Sequence, residues 1–232
     1  MRMLSLAAIL LALGTAPLAA QTAAPAPAAP AADAAATPEM VPDIALGAED
    51  APLTVIEYAS FTCGHCADFH TSTFPKLKAE YIDTGKVRFI QRDVYFDAPG
   101  LWAGVLAHCD PSKYYPVASE ILSTQKTWLG GADGEAIAEG LRKIGLKNGM
   151  TAEQMEACWA DQPMVERLVA TYQVNATKDG LEGTPTFIIG GEKVQNQPWE
   201  ELKAKIDEKL AAAPATTDAA PAADATPAAG NN

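Results

Sequence analysis

The chain has 232 residues, 48% of them hydrophobic, and a formal net charge of -12. That length supports one sizeable core in one domain, with room for a large insertion. The negative charge argues against a nucleic-acid partner, which would call for clustered Lys and Arg, and it speaks to solubility rather than to fold.

The chain opens on "MRMLSLAAILLALGTAPLAAQ", with a basic start at Arg2, an apolar run over residues 4–13, then small residues. This is the layout of a secretory signal peptide, with cleavage expected near Ala20. The apolar run is short of the about 20 residues of a bilayer span. An uncleaved anchor is the bland alternative. Residues 21–42 and 211–232 are rich in Ala and Pro and read as disordered spacers.

The first clear strand covers residues 53–58, rich in β-branched and aromatic side chains. A helical stretch follows from Cys66 to about residue 82, in which Pro75 should introduce a kink or open a second segment. Thr84-Gly85 closes it, and residues 87–94 read as the next strand. Apolar residues at helical spacing fill the chain from residue 99 to about 179. Within it, Thr151 and Gln154 read as a capping box. Strands are expected at 186–189 and 193–195, around the turn Gly190-Gly191-Glu192, and a last helix from about 199 to 210. The β-α-β unit followed by helices and a β-β-α unit implies an α/β layer structure.

Cys63 falls at the first strand-to-helix turn, in "FTCGHCADFH". In an exported chain disulfides form and persist, and spacing favours pairing Cys63 with Cys66 and Cys109 with Cys158. Other pairings are open on sequence alone, and two buried free thiols are the alternative for Cys109 and Cys158. A Cys109–Cys158 bridge would close a loop of about 50 residues, worth roughly 4 kcal/mol.

A thiol at a helix start feels the positive end of the helix dipole and the free backbone N–H groups there. In such C-x-x-C sites the first cysteine's pKa falls to about 3.5–7.5. Cys63 is therefore the expected nucleophile and Cys66 the buried resolving thiol, with His65 adding charge when protonated. A metal site would need four ligands, and no second ligand pair of suitable spacing follows, so no metal is expected. A structural disulfide across so short a loop would gain little. His70 reads as a solvated or packing histidine on the helix surface. Glu57 interrupts an apolar strand. Buried, it would have a raised pKa and could relay the Cys66 proton; on a strand edge it would be solvated. Thr184-Pro185 precedes a strand, either as an ordinary trans bond or as a cis bond offering backbone to a substrate peptide.

The stretches "VIEYASFTCGHCADFH" and "GTPTFIIGG", with the helical region between them, resemble the DsbA-type thioredoxin-fold thiol oxidoreductases of bacterial envelopes. The resemblance implies a thioredoxin fold over 43–98 and 180–210, interrupted by a helical insertion over 99–179. It implies a nucleophile at Cys63, a resolving Cys66, an acid at Glu57 and a cis-proline loop at Thr184-Pro185. It also implies periplasmic oxidation of newly exported chains, no cofactor beyond the redox disulfide, and reoxidation by a membrane quinone-linked partner of the DsbB type. The chain would act as a monomer. A second disulfide in the helical region occurs in some α-proteobacterial members, matching Cys109 and Cys158. Two residues depart from the best-known members. Gly64 stands where they carry Pro, as in eukaryotic disulfide isomerases, and Thr184 stands where they often carry Val. A reductase or isomerase is thus the alternative within the class, and a peptide-binding chaperone or adaptor the alternative outside it.

Overall fold

A computed structural model describes residues 39–213. The expected signal peptide and most of both Ala/Pro-rich segments lie outside the described residues. The strand foreseen after residue 52 is β2 (Leu53–Ala59), the middle of a five-stranded mixed sheet. Leu53, Val55, Glu57, Tyr58 and Ala59 are all buried, a run too continuous for a half-solvated strand, because both faces of the sheet are covered.

β3 (Val87–Asp93) runs parallel to β2 and pairs Gln91 with Glu57 and Asp93 with Ala59. On the other side β4 (Thr186–Ile189) runs antiparallel to β2, pairing Thr186 with Tyr58 and Phe187 with Glu57. β5 (Glu192–Gln195) closes that edge as a hairpin. Glu192, expected in the turn, instead pairs with Ile189. Gly190 and Gly191 alone make the turn, at φ 55° and 85°, the left-handed backbone that such two-residue hairpins require. A two-residue strand, β1 (Ala45–Leu46), pairs antiparallel with Ile90 and Phe89 at the far edge.

The helix expected from residue 66 to 82 is three pieces: α1 (Gly64–Ser72), α2 (Phe74–Leu77) and a π-helical turn over Lys78–Ile82. Pro75 lies in the first turn of α2, where its missing N–H would have been unpaired anyway. In a continuous helix its ring would clash with the carbonyl of Thr71. Between β3 and β4 come α3 (Ala98–His108), α4 (Tyr114–Ser123), α5 (Gln125–Trp128), α6 (Gly134–Lys147), α7 (Ala152–Ala160) and α8 (Gln162–Lys178). A short 3-10 turn, Pro111–Lys113, separates the first two. Their starts follow local rules: Asp97, Asp133 and Asp161 accept from backbone N–H groups, and Thr151 with Gln154 forms a full capping box. α9 (Trp199–Ala212) ends the described chain.

Two cores result. Phe69, Leu77, Phe89, Phe187, Leu202 and Ile206 pack α1, α2 and α9 against one face of the sheet. Phe61, Cys66, Leu106, Tyr114, Ile121, Leu141 and Met155 join the helices between β3 and β4 to the C-terminal end of β2. Val41, within the segment read as a spacer, donates its backbone N–H to Thr171 Oγ1 at 2.8 Å. Beside it Arg92 holds the Asp43 carboxylate with two nitrogens, at 3.0 and 2.8 Å, and reaches Tyr58 Oη and Asp179 with a third.

Candidate active site

The turn that ends β2 is tight: the Cys63 N–H donates to Ser60 O at 3.1 Å. Cys63 is the N-cap of α1, in extended backbone, and its carbonyl accepts from Cys66 N and Ala67 N, both at 3.2 Å. The next turn of helix carries Cys66 inward. Cys66 is fully buried and Cys63 is half-buried, and the two are unbonded here. As a thiol, Cys63 donates to the Thr184 carbonyl at 3.4 Å. That carbonyl belongs to the Thr184–Pro185 peptide bond, which is cis. Thr186 Oγ1 braces the loop from within by donating to Gly183 O at 2.7 Å.

The two thiols are tuned in opposite directions. Burial works against the Cys63 thiolate, but hydrogen bonds from the Thr184 and Cys66 side chains and from the Cys66 and His65 backbone outweigh it and lower its pKa. Burial pushes the Cys66 thiol well up, and the neighbouring Glu57 carboxyl pushes it further. His65 is exposed at the helix start.

Glu57 is 1% exposed, and its Oε1 has no hydrogen-bond partner. Burial raises its pKa to about 8, helped by the charges of Asp93 and Cys63. A carboxyl that keeps its proton near neutrality and faces a buried thiol can give that proton up and take it back.

Sequence reading misses much of the surrounding shell. Asp93 is buried and accepts from Tyr114 Oη at 2.6 Å and Gln91 Nε2 at 3.1 Å, and lies 3.4 Å from Tyr95 Oη and 3.2 Å from His108 Nε2. Register puts it on the same face of the sheet as Glu57, one strand over and two residues on. Gln125, the first residue of α5, reaches the carbonyls of both Phe61 and Cys63. Asp97 caps α3 and also accepts from Thr62 Oγ1 at 2.8 Å. His70, expected on the helix surface, is buried: its Nε2 meets Ser119 Oγ at 2.9 Å and its ring stacks on Phe74. Burial lowers its pKa to about 4. α4 covers it, which no local pattern announces.

Cys109 and Cys158 are bonded, with their Cα atoms 5.6 Å apart, joining the end of α3 to α7. They lie in the helical region, at the end of α3 and in α7. Among the described residues no group of three or more His, Cys, Asp and Glu side chains converges as a metal-ligand set. Among them, too, no helix is long and apolar enough to cross a membrane.

A family model described as thioredoxin matches residues 39–208. A putative protein-disulfide oxidoreductase of Rickettsia bellii is 32% identical over 170 residues, covering 72% of this chain and 64% of the relative. The chain thus spans under two thirds of that relative's length. Disulfide bond formation protein D of Bacillus subtilis is 24% identical over 175 residues, covering 71% of this chain and 76% of that protein. The crystal structure of Wolbachia pipientis alpha-DsbA1 superposes with a TM-score of 0.67 at 27% identity, over 73% of this chain and 92% of that one.

Proposed function

The chain belongs to the thioredoxin family, on its DsbA-like side, and on that premise we propose that it is an exported dithiol oxidase, placing disulfides into other proteins through Cys63 and Cys66. The observation that carries this reading is the split between the two thiols: a half-exposed Cys63 on a helix start, facing the Thr184 carbonyl, above a fully buried Cys66. A substrate thiolate attacks Sγ of Cys63 in the Cys63–Cys66 disulfide, and Cys66 leaves as thiolate. Glu57, protonated, gives its proton to that buried thiolate. A second substrate thiolate then attacks the substrate sulfur of the mixed disulfide and releases Cys63 as thiolate. Two electrons pass from substrate to the cysteine pair, and the substrate leaves with its disulfide formed.

Thr184 and Pro185 are the residues we assign to holding the substrate chain, through the backbone facing Cys63. His65 adds positive charge beside the thiolate when protonated. The redox pair needs no further cofactor for this exchange. We further propose that the chain works in the periplasm as a monomer, on reduced exported polypeptides, and is reoxidised by a DsbB-type quinone-linked membrane protein.

Gly64 and Thr184 favour a second reading, reduction or isomerisation, since both positions depart from the residues of the best-known oxidases. The reduction potential of the Cys63–Cys66 pair separates the readings: about -120 mV is expected, and about -270 mV would sink the oxidase assignment in favour of a reductase. Cys63→Ser separates both from a peptide-binding chaperone, which would keep its activity where a thiol enzyme loses it.

A further inference from the structure

The turn that presents Cys63 is held at two of its backbone carbonyls by a single side chain from outside the sheet. Gln125 is 6% exposed, and its Nε2 lies 2.8 Å from Phe61 O and 2.9 Å from Cys63 O. An amide NH2 has two donor hydrogens, and here each serves one carbonyl. The two carbonyls bracket Thr62 and the nucleophile itself. Gln125 comes from α5, 64 and 62 residues further along the chain than its two partners.

We propose that Gln125 is a positioning residue for Cys63: it locks the turn between Phe61 and Cys63 so that the sulfur meets its hydrogen-bond donors. The inference rests on the exchange chemistry proposed for Cys63, but its mechanism is local geometry. The Cys63 carbonyl is the N-cap acceptor of α1, already holding Cys66 N and Ala67 N. Fixing that oxygen from a third direction fixes the Cys63–Gly64 peptide plane, and with it the first turn of α1, whose N–H groups at His65 and Cys66 favour the thiolate. Phe61 is fully buried, and among the described residues no backbone or other side-chain donor than Gln125 reaches its carbonyl outside the regular helices and strands. Deleting the amide therefore strands a buried acceptor at the residue where the turn begins. Thr62, between the two carbonyls, is tied separately to Asp97, so the turn would pivot about that bond rather than come apart.

The test is a graded series. Gln125→Glu keeps the size but offers two acceptors to two carbonyls. Gln125→His keeps a single donor. Each variant is taken as the full chain, fully reduced, and read in three ways. The thiolate absorbance near 240 nm is titrated, the rate of Cys63 alkylation by iodoacetamide is measured across the same pH range, and the urea midpoint is recorded. The expected order of thiolate population is wild type, then His, then Glu. At pH values below the measured wild-type titration, the alkylation rate should fall about tenfold from wild type to Glu, as a one-unit rise in pKa dictates there. A series in which the urea midpoint falls while the titration and alkylation stay with wild type would overturn the proposal, leaving Gln125 a packing residue. Should the Glu variant not fold, the His variant decides on the same readouts. Alkylation needs no redox partner, so a wild-type potential near about -270 mV would sink the oxidase reading and leave this inference standing.

Discussion

At Glu57 the pH dependence of stability can be worked out in sign. Its folded pKa is raised from 4.5 to about 8, so from pH 4.5 upward the folded protein keeps a proton that the unfolded chain has released. Stability falls across that window by about 1.4 kcal/mol per pH unit where the group dominates, and levels off above about 8. His70 has the opposite sign. Its pKa is lowered from 6.5 to about 4, so its contribution is fully present above 6.5 and is lost as pH falls toward 4. The two slopes oppose each other between 4.5 and 6.5, and only Glu57 acts from 6.5 to 8. In the oxidised protein, where neither Cys63 nor Cys66 titrates, urea midpoints should therefore drop from pH 6.5 to 8. Glu57→Gln should flatten that drop, and equal slopes in the two proteins would remove Glu57 as the buried acid. On the mechanism proposed above, the same substitution deletes the proton source for the Cys66 thiolate. General acids of this kind contribute roughly 10²–10⁴-fold, so stopped-flow exchange with a model dithiol should slow by at least the lower figure.

Elements carry the acid's neighbours, and their fit is testable at α3. A Cβ added at Gly104 would lie 2.4 Å from Tyr95 Cε1 and 2.8 Å from its Oη. Tyr95 is wedged between α3 and the Asp93 cluster, with its hydroxyl 3.4 Å from Asp93. Gly104→Ala must displace that ring, and overpacking of this sort costs about 1–3 kcal/mol. Urea unfolding at constant m-value measures it, and an unchanged midpoint would mean the ring has room to move. Much of this layer is legible in the sequence where the signal is local. The β2 run, the cap at Thr151, the glycine turn and the C-x-x-C spacing all speak within a few residues. Asp93 is different: it reads as the end of a strand, and its importance comes from Tyr114, His108 and register beside Glu57. Gln125 sits in a polar run, "STQKT", with nothing local to mark it. β1 exists only because β3 offers an open edge. His70 lies in a nine-residue helix whose outward face is decided by α4. In each case the missing information is a partner many residues away.

For the molecule as a whole, the consequence is a stability difference between its two redox forms that changes with pH in a defined way. The site is assembled from β2 and α1, from the Thr184 loop, and from helices that deliver Asp97 and Gln125. Unfolding dissolves that environment and returns both thiols toward their ordinary value of 9.0. Cys63 has a lowered folded pKa, so the reduced protein gains stability as pH rises through that value, and the gain is complete at about 9. Cys66 has a raised folded pKa, so above 9 the folded protein holds a proton that the unfolded chain loses, and stability declines again. The oxidised protein has neither term. Reduced-minus-oxidised stability, measured as the difference in urea midpoint, should climb from acid toward pH 9 and turn down beyond it. Glu57 and His70 titrate in both forms, so they largely cancel in the difference. Neither single variant can form the disulfide, so each is read against the oxidised wild type: Cys63→Ala should lack the rise, and Cys66→Ala the decline. A difference that stays flat through pH 9 would mean that the fold does not discriminate between its two thiols. On the proposed oxidase reading, the rising limb is also what would supply oxidising power. Every kcal/mol by which folding favours the reduced pair raises its reduction potential, by about 30 mV for 1.4 kcal/mol. If the proposed oxidase reading holds, the protein should thus be measurably more stable after it has oxidised its substrate.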